Sequence, residues 1–345
     1  MKRVGILLLL FGLLAACAPA APDEPRVLTI MTHNSFDIGE ETIAAFEAEH
    51  DVTVQILFSG DAGLMLNQAV LNAENPLADL IYGVDNTLMS RGLEAGIFEP
   101  YDSPLLAQIP DHLELDREHR LLPVDYGDVC LNYDRGWFAA RGVPPPTSLE
   151  DLVQPEYRGL TVVENPASSS PGLAFMLATI DHFGTVWLDY WAALRANDVL
   201  VTEGWEEAYW GYFTYASEGD RPIVVSYASS PPVEVYFSAE EFDEAPTGVV
   251  VADGSCFRQI EFVGILKGTP NRDLAEAWID FMLGVAFQED IPLHMFVFPA
   301  NENAALPDVF ARFAVIPDHP AIVDPAEIDA NRDDWIEQWI ETVLR

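Results

Sequence analysis

The sequence predicts an α/β protein in two lobes, each built on an open sheet, with two extended strands crossing between them. Three observations predict it. Apolar strand-like runs alternate with amphipathic helical segments in two separate sets. The second set begins after Pro144-Pro145-Pro146, a natural break in the chain. Two long extended segments, residues 121–133 (LLPVDYGDVCLNY) and 256–267 (CFRQIEFVGILK), link one set to the other.

In the first set, residues 27–32 (VLTIMT) read as a buried strand. Residues 39–50 read as a helix turning Ile43, Ala44 and Phe46 inward, and 52–58 (VTVQILF) as a second strand. Residues 61–72 follow as a helix with Asp61 placed to cap its N-terminus. A strand at 78–84 (ADLIYGV) and a helix through Leu88 and Leu93 complete a βαβαβα order, which implies a parallel sheet covered on both faces. In the second set, residues 148–153 read as helix, 160–164 as strand, 172–183, 185–196 and 204–216 as helices, and 222–227 as strand. Helices at 272–283 and 326–344 close the chain. Tyr209, Tyr212 and Tyr215 fall at helical spacing and read as a packed face; Trp187, Trp191, Trp278, Trp335 and Trp339 read as core or lobe packing.

If the chain leaves lobe 1 near Tyr126 and returns near Phe262, lobe 1 comprises residues 27–127 and 262–345 and lobe 2 residues 128–261. Open α/β sheets bind ligands beyond the carboxyl ends of their strands, so the expected site is the cleft between the lobes.

The N-terminus is an address. Lys2 and Arg3 precede an apolar run at residues 4–14, too short for a membrane span of about 20 residues. The following Leu14-Ala15-Ala16-Cys17 resembles a bacterial lipoprotein box. Residues 1–16 are therefore expected to be removed, Cys17 lipidated, and residues 17–26, rich in Ala and Pro, to tether the folded body to the outer face of the cytoplasmic membrane. Losing Lys2 and Arg3 takes the formal charge from −39 to −41. A surface this acidic argues against nucleic acid and anionic lipid as partners, and an apolar content of 50% argues against disorder. Export leaves Cys130 and Cys256 as an even pair in an oxidising compartment. If the two crossings run side by side the pair comes close, so a disulfide at the hinge is expected. The competing reading is a reactive Cys130 beside Asp128.

Other chemistry leaves little trace. His33, His50, His112, His119, His182, His294 and His319 show no short metal-ligand spacing, so no metal is expected. There is no Walker-type phosphate loop and no Gly-x-Ser-x-Gly turn, and no cofactor is expected. Ser169 and Ser170 precede Pro171-Gly172 at a helix start, where free N–H groups can receive a hydroxyl or phosphate.

Seven segments, taken in order, carry a family resemblance: residues 28–36 (LTIMTHNSF), 78–86 (ADLIYGVDN), 123–134 (PVDYGDVCLNYD), 169–173 (SSPGL), 201–209 (VTEGWEEAY), 225–231 (VSYASSP) and 287–301 (FQEDIPLHMFVFPAN). They resemble the substrate-binding proteins of ABC importers, and within that class the thiamine-binding branch. The resemblance implies the two-lobed periplasmic-binding-protein fold of type II. It also implies a monomer without catalysis that captures thiamine, a thiamine phosphate or a related derivative and delivers it to a membrane permease. Carried over residue by residue, it makes Asp61 the acid that meets the ligand's polar edge and Trp205 and Tyr227 aromatic contacts, with Ser230 nearby and Ser169 and Ser170 at the tail. Thiamine is a ring cation, and each aromatic face it meets is worth about 0.5–2 kcal/mol. The chain departs from the pattern at His33, where the family has another aromatic, at Phe296, where it has a tryptophan, and at Val233, where it has a tyrosine. No tryptophan matches the family's additional one around residues 37–40, so the aromatic cage is thinner. The alternative ligand is another small cation such as a polyamine. The alternative activity is thiamine cleavage on the same fold with Cys130 as nucleophile.

Overall fold

A computed structural model describes residues 26–345; the leader, Cys17 and the tether up to residue 25 lie outside the described residues. The chain opens with β1 (Arg26–Thr32), α1 (Glu40–His50), β2 (Val52–Phe58), α2 (Ala62–Leu71), β3 (Leu80–Asp85), α3 (Met89–Glu94) and β4 (Phe98–Glu99). The first crossing is β5 (Leu122–Asp134). It leads to α4 (Arg135–Arg141), β6 (Thr161–Glu164), α5 (Ser170–Phe183), α6 (Trp187–Ala196) and β7 (Leu200–Thr202). The second lobe continues with β8 (Ile223–Tyr227), α7 (Ser230–Phe237) and β9 (Thr247–Val250). The return crossing, β10 (Phe257–Leu266), is followed by α8 (Arg272–Leu283), α9 (Val285–His294), β11 (Phe298–Pro299), α10 (Asp308–Phe313) and α11 (Pro325–Val343).

Pairing within each set is parallel, β1 with β2 and β3, and β6 with β7 and β8. The crossings β5 and β10 run antiparallel to each other and to the sets they join. Because both are long, they serve both sheets at once, and the ladder runs unbroken as β2-β1-β3-β10-β5-β8-β6-β7. Every residue of β3 is buried, as a strand covered on both faces requires, whereas β2 at the edge is mostly exposed or half-buried. The helix α8 buries Leu274, Ala275, Trp278, Ile279 and Met282, spaced three and four apart, and Trp278 meets Phe46 of α1 edge-on at 4.8 Å. Among the described residues no helix is long and apolar enough to cross a membrane.

Cys130 and Cys256 stand opposite each other one step beyond the last β5–β10 pair, Val129 with Phe257. They are joined as a disulfide with Cα atoms 4.5 Å apart.

Several expectations need correction. The helix expected at 204–216 is shorter: it is helical from residue 205, widens over Glu207–Tyr212 and ends there, with Phe213 N–H donating to Ala208 O, five residues back, at 3.0 Å. Trp205 and Tyr209, four residues apart, face the same side of this coil and stack. Residues 148–153 make only a 3₁₀ turn at Glu150–Val153. Beyond residue 262, α10 and α11 also make contacts with the second set of elements. Phe310 buries in one cluster with Val233 of α7, and Trp339 meets Trp191 of α6 at 5.3 Å. Apolar surface on the last two helices is covered from that side, while Arg332 of α11 reaches back to Thr87 O and Ser90 beside α3.

Candidate ligand-binding cleft

The register of the crossings decides what the cleft floor is made of. Asp125 and Gly127 of β5 pair with Glu261 and Gln259 of β10, and successive residues alternate between faces. Asp125, Gly127, Gln259 and Glu261 thus share the face toward the cleft, while Asp128, Cys130, Cys256 and Arg258 share the other. Above that floor lies a cleft with about 460 Å³ of atom-free space, part of it open to solvent.

The cleft brings together six of the residues expected at the site. His33, Asp61, Ser170, Trp205, Tyr227 and Phe296 all line it. Trp205 stacks on Tyr209 with ring centres 4.7 Å apart and meets Phe296 edge-on at 5.9 Å. The indole Nε1 donates to Ser226 Oγ at 3.0 Å, and Ser226 Oγ lies 3.0 Å from Ser230 Oγ. Ser230 therefore stands one step behind the cleft, fixing the residue that fixes Trp205. Ser169 is also behind it: its hydroxyl caps α5 by accepting from Gly172 N–H at 3.4 Å. Ser170 does line the cleft, and its hydroxyl accepts from Gln259 Nε2 at 2.9 Å. Tyr227 donates to Gln259 Oε1 at 3.2 Å and packs over Gly127, where an added Cβ would come 2.8 Å from its ring. Val233, the other departure, is buried away from the cleft beside Phe298 and Phe310.

Sequence reasoning missed Glu261, Ser35, His294, Met295 and Val297, which also line the cleft. Phe296 holds a left-handed backbone, φ 63°, an uncommon conformation for an aromatic residue; its carbonyl accepts from Ser229 Oγ at 2.6 Å. His294 Nδ1 lies 2.8 Å from Asp37 Oδ2, steadying the same wall.

The floor is strongly coupled electrostatically. His33 Nε2 lies 3.4 Å from Glu261 Oε1, and the two side chains are nearly inaccessible. The imidazole sits over β3 at Gly83, where an added Cβ would come 2.2 Å from its ring and φ is +94°. Burial, the largest single influence, pushes the His33 pKa down; Glu261, with the charges of Asp61 and Glu206, together outweigh it and hold the pKa above the usual value. For Glu261, burial raises the pKa, and His33 with the donors Asp125 and Tyr82 lowers it to below the usual carboxylate range. Tyr82 Oη lies 2.5 Å from Asp125 Oδ2 and 3.3 Å from Glu261 Oε2. Burial, then the Glu261 charge, pushes Asp125 well up, so Asp125 keeps its proton and Glu261 carries the negative charge. Burial also lifts Asp85, behind this group, to about 7.

The two lobes meet at the other end of the cleft. Asp61 Oδ1 accepts from Ala62 N–H at 2.7 Å, and Oδ2 accepts from Trp205 N–H of the second lobe at 3.0 Å. The first N–H groups of α2, Gly63 and Leu64, donate to Ser168 O of the second lobe at 3.0 and 3.3 Å. Burial pushes the Asp61 carboxyl up despite the Trp205 and Ala62 amides and the nearby His33, which pull it down. Two glycines permit this approach. A Cβ on Gly63 would lie 2.8 Å from Ser168 O, and one on Gly204 would lie 2.8 Å from Asp61 Oδ2. Gly63→Ala is accordingly expected to cost this closed arrangement about 1–3 kcal/mol. Small-angle scattering would then give a larger radius of gyration than for the wild type; an unchanged radius would refute the steric argument.

Comparison with known proteins bears on this geometry. The model of the bacterial extracellular solute-binding protein family matches residues 75–316, well over half of the chain. The thiamine-binding periplasmic protein of Brucella abortus is 30% identical over 98% of this chain and 98% of its own. That of Salmonella typhimurium is 30% identical over 96% and 98%. A solved periplasmic thiamin binding protein superposes with a TM-score of 0.83 at 27% identity, covering 95% of this chain and 99% of that one. The architecture is thus the type II periplasmic-binding-protein fold. A two-lobed body with an interlobe cleft, matched end to end by such relatives, places the chain in the bacterial extracellular solute-binding protein family, as the solute-binding component of an ABC importer.

Proposed function

We propose that this protein captures thiamine, or a thiamine phosphate or related derivative, in the cleft and hands it to a membrane permease while held at the membrane by lipid on Cys17. The observation that carries the reading is the lining itself. Trp205, Tyr227 and Phe296 offer aromatic faces, Asp61 and Glu261 offer carboxylates, and neither lysine nor arginine is among the described residues lining it. Such a surface suits a flat organic cation. The relatives named for thiamine binding support that choice of cation. In this reading Asp61 meets the polar edge of the aminopyrimidine, Ser170 meets the tail and Ser169 holds the helix that presents it.

The alternative of Cys130 as a nucleophile is not supported. Cys130 is closed in a disulfide, fully buried and on the strand face away from the ligand. A nucleophile needs a free thiolate within reach of the substrate.

Calorimetric titration of the mature protein with thiamine, its mono- and diphosphate, and spermidine tests the proposal. The expected result is one-to-one binding of a thiamine form, weakened about 100-fold by Asp61→Ala, in line with losing a charged hydrogen-bonding group. Binding of spermidine alone would move the protein to polyamine uptake.

A further inference from the structure

The cleft contains a charged pair that the aromatic reading does not use. His33 and Glu261 both line it, both are buried, and the imidazole occupies a seat that only Gly83 leaves open. At 3.4 Å from Glu261 Oε1, His33 Nε2 completes no hydrogen bond, so charge rather than a directed bond holds it there. We propose that His33 is a proton-exchange residue of the binding site: a cationic ligand entering the cleft takes over the imidazolium's place opposite Glu261, and the His33 proton leaves to solvent. This rests on the proposed capture of thiamine and adds to it that loading is coupled to pH.

The surroundings of His33 dictate the direction. Glu261 faces it from β10, Asp61 from the cap of α2, and Glu206 from the segment after β7, where it bonds Ser35. Tyr82 of β3 lies beside it, ring centres 5.7 Å apart, and Asp85, Asp125 and Tyr227 stand around Glu261. His294 is the other imidazole of the lining. In the empty cleft this excess of carboxylate favours the protonated imidazole. A second cation against Asp61 and Trp205 lies in the same small space. Imidazolium and ligand then repel each other where little water screens them. Glu261 stays ionised, because it is attracted to either cation and Tyr82 Oη lies 3.3 Å from its Oε2. His33 is therefore the group that gives up its proton.

The sign follows. His33 has a raised pKa in the free protein, and the bound cation lowers it, so binding releases protons between those two values. Affinity rises with pH between the bound-state and free-protein pKa values, by at most tenfold per unit, and is level on either side of that window. We expect thiamine to bind the mature protein about tenfold or more tightly at pH 8 than at pH 6. Titration between pH 6 and pH 8 in buffers of differing ionisation enthalpy should give a net release of protons on thiamine binding. In His33→Asn the pH ratio should fall to about twofold or less, the remainder coming from the carboxyls. Glu261→Gln, which removes the charge that raises His33, should also abolish the release at pH 7 and serves if His33→Asn fails to fold. Thiamine binding with no proton release in the wild type, or with release unchanged in a folded variant, overturns the exchange and leaves thiamine capture standing. Absence of thiamine binding at every pH overturns both.

Discussion

Trp205→Ala is expected to weaken thiamine binding by about 30- to 1,000-fold, roughly 2–4 kcal/mol. The indole is almost wholly buried, one face on Tyr209 and its edge on Phe296, yet it still borders the cleft. Removing it takes away a cation–π surface worth about 0.5–2 kcal/mol and apolar contact worth about 1.5–3 kcal/mol. It also leaves Ser226 and Ser230 without the group they orient. The backbone bond from residue 205 to Asp61 survives the substitution, so the loss reports on the ring and not on lobe closure. Trp205→Phe separates the two contributions. It keeps an aromatic face and drops only the Nε1 bond to Ser226, a loss of about 1 kcal/mol, or some fivefold. Titration of both variants, with circular dichroism to confirm folding, is the measurement. Binding by Trp205→Ala within threefold of the wild type would place the ligand away from this wall.

Much of the cleft is legible in the sequence because its parts announce themselves locally. Asp61 precedes a clear helical pattern, Trp205 follows Gly204, and Tyr227 ends an apolar strand. Glu261 gives no such local sign, being one acid inside the apolar run FRQIEFVG. A long-range signal was nevertheless present. Pairing Cys130 with Cys256 on antiparallel strands fixes the register, and counting five residues inward along each strand sets Asp125 opposite Glu261, as observed. Two acids facing each other in a buried hinge cannot both stay charged, which marks the spot as chemically special. The helices α7 and α9 went unread because prolines normally end helices. In α7 they occupy the first turn, where no N–H partner is lost, and α9 carries Pro292 inside. The glycines at the lobe contact could not be read at all. Gly63 and Gly204 matter through atoms of the opposite lobe, more than a hundred residues away, and only the assembled closed form shows what each leaves room for.

Breaking the Cys130–Cys256 disulfide is expected to destabilise the second lobe by about 4–5 kcal/mol, the cost estimated for freeing a closed loop of more than 100 residues. The bridge joins β5 as it enters that lobe to β10 as it leaves, so β6, β7, β8 and β9 with their helices all lie inside the loop. Their unfolded chain gains most when the loop opens. The first lobe lies outside it and keeps its own parallel core of β1, β2 and β3. In a double Cys130→Ser, Cys256→Ser variant the second lobe should therefore melt about 10–20 °C below the wild type. Hydrogen exchange should rise within residues 131–255 far more than in β1 or β3. Thiamine affinity should stay within about threefold, because the bridge and the cleft occupy opposite faces of the same two strands. A uniform rise in exchange across both lobes would mean that the hinge ladder, not the loop, sets the stability of the second lobe. A large loss of affinity in a well-folded variant would show that the bridge also holds Asp125 and Glu261 in register five residues away.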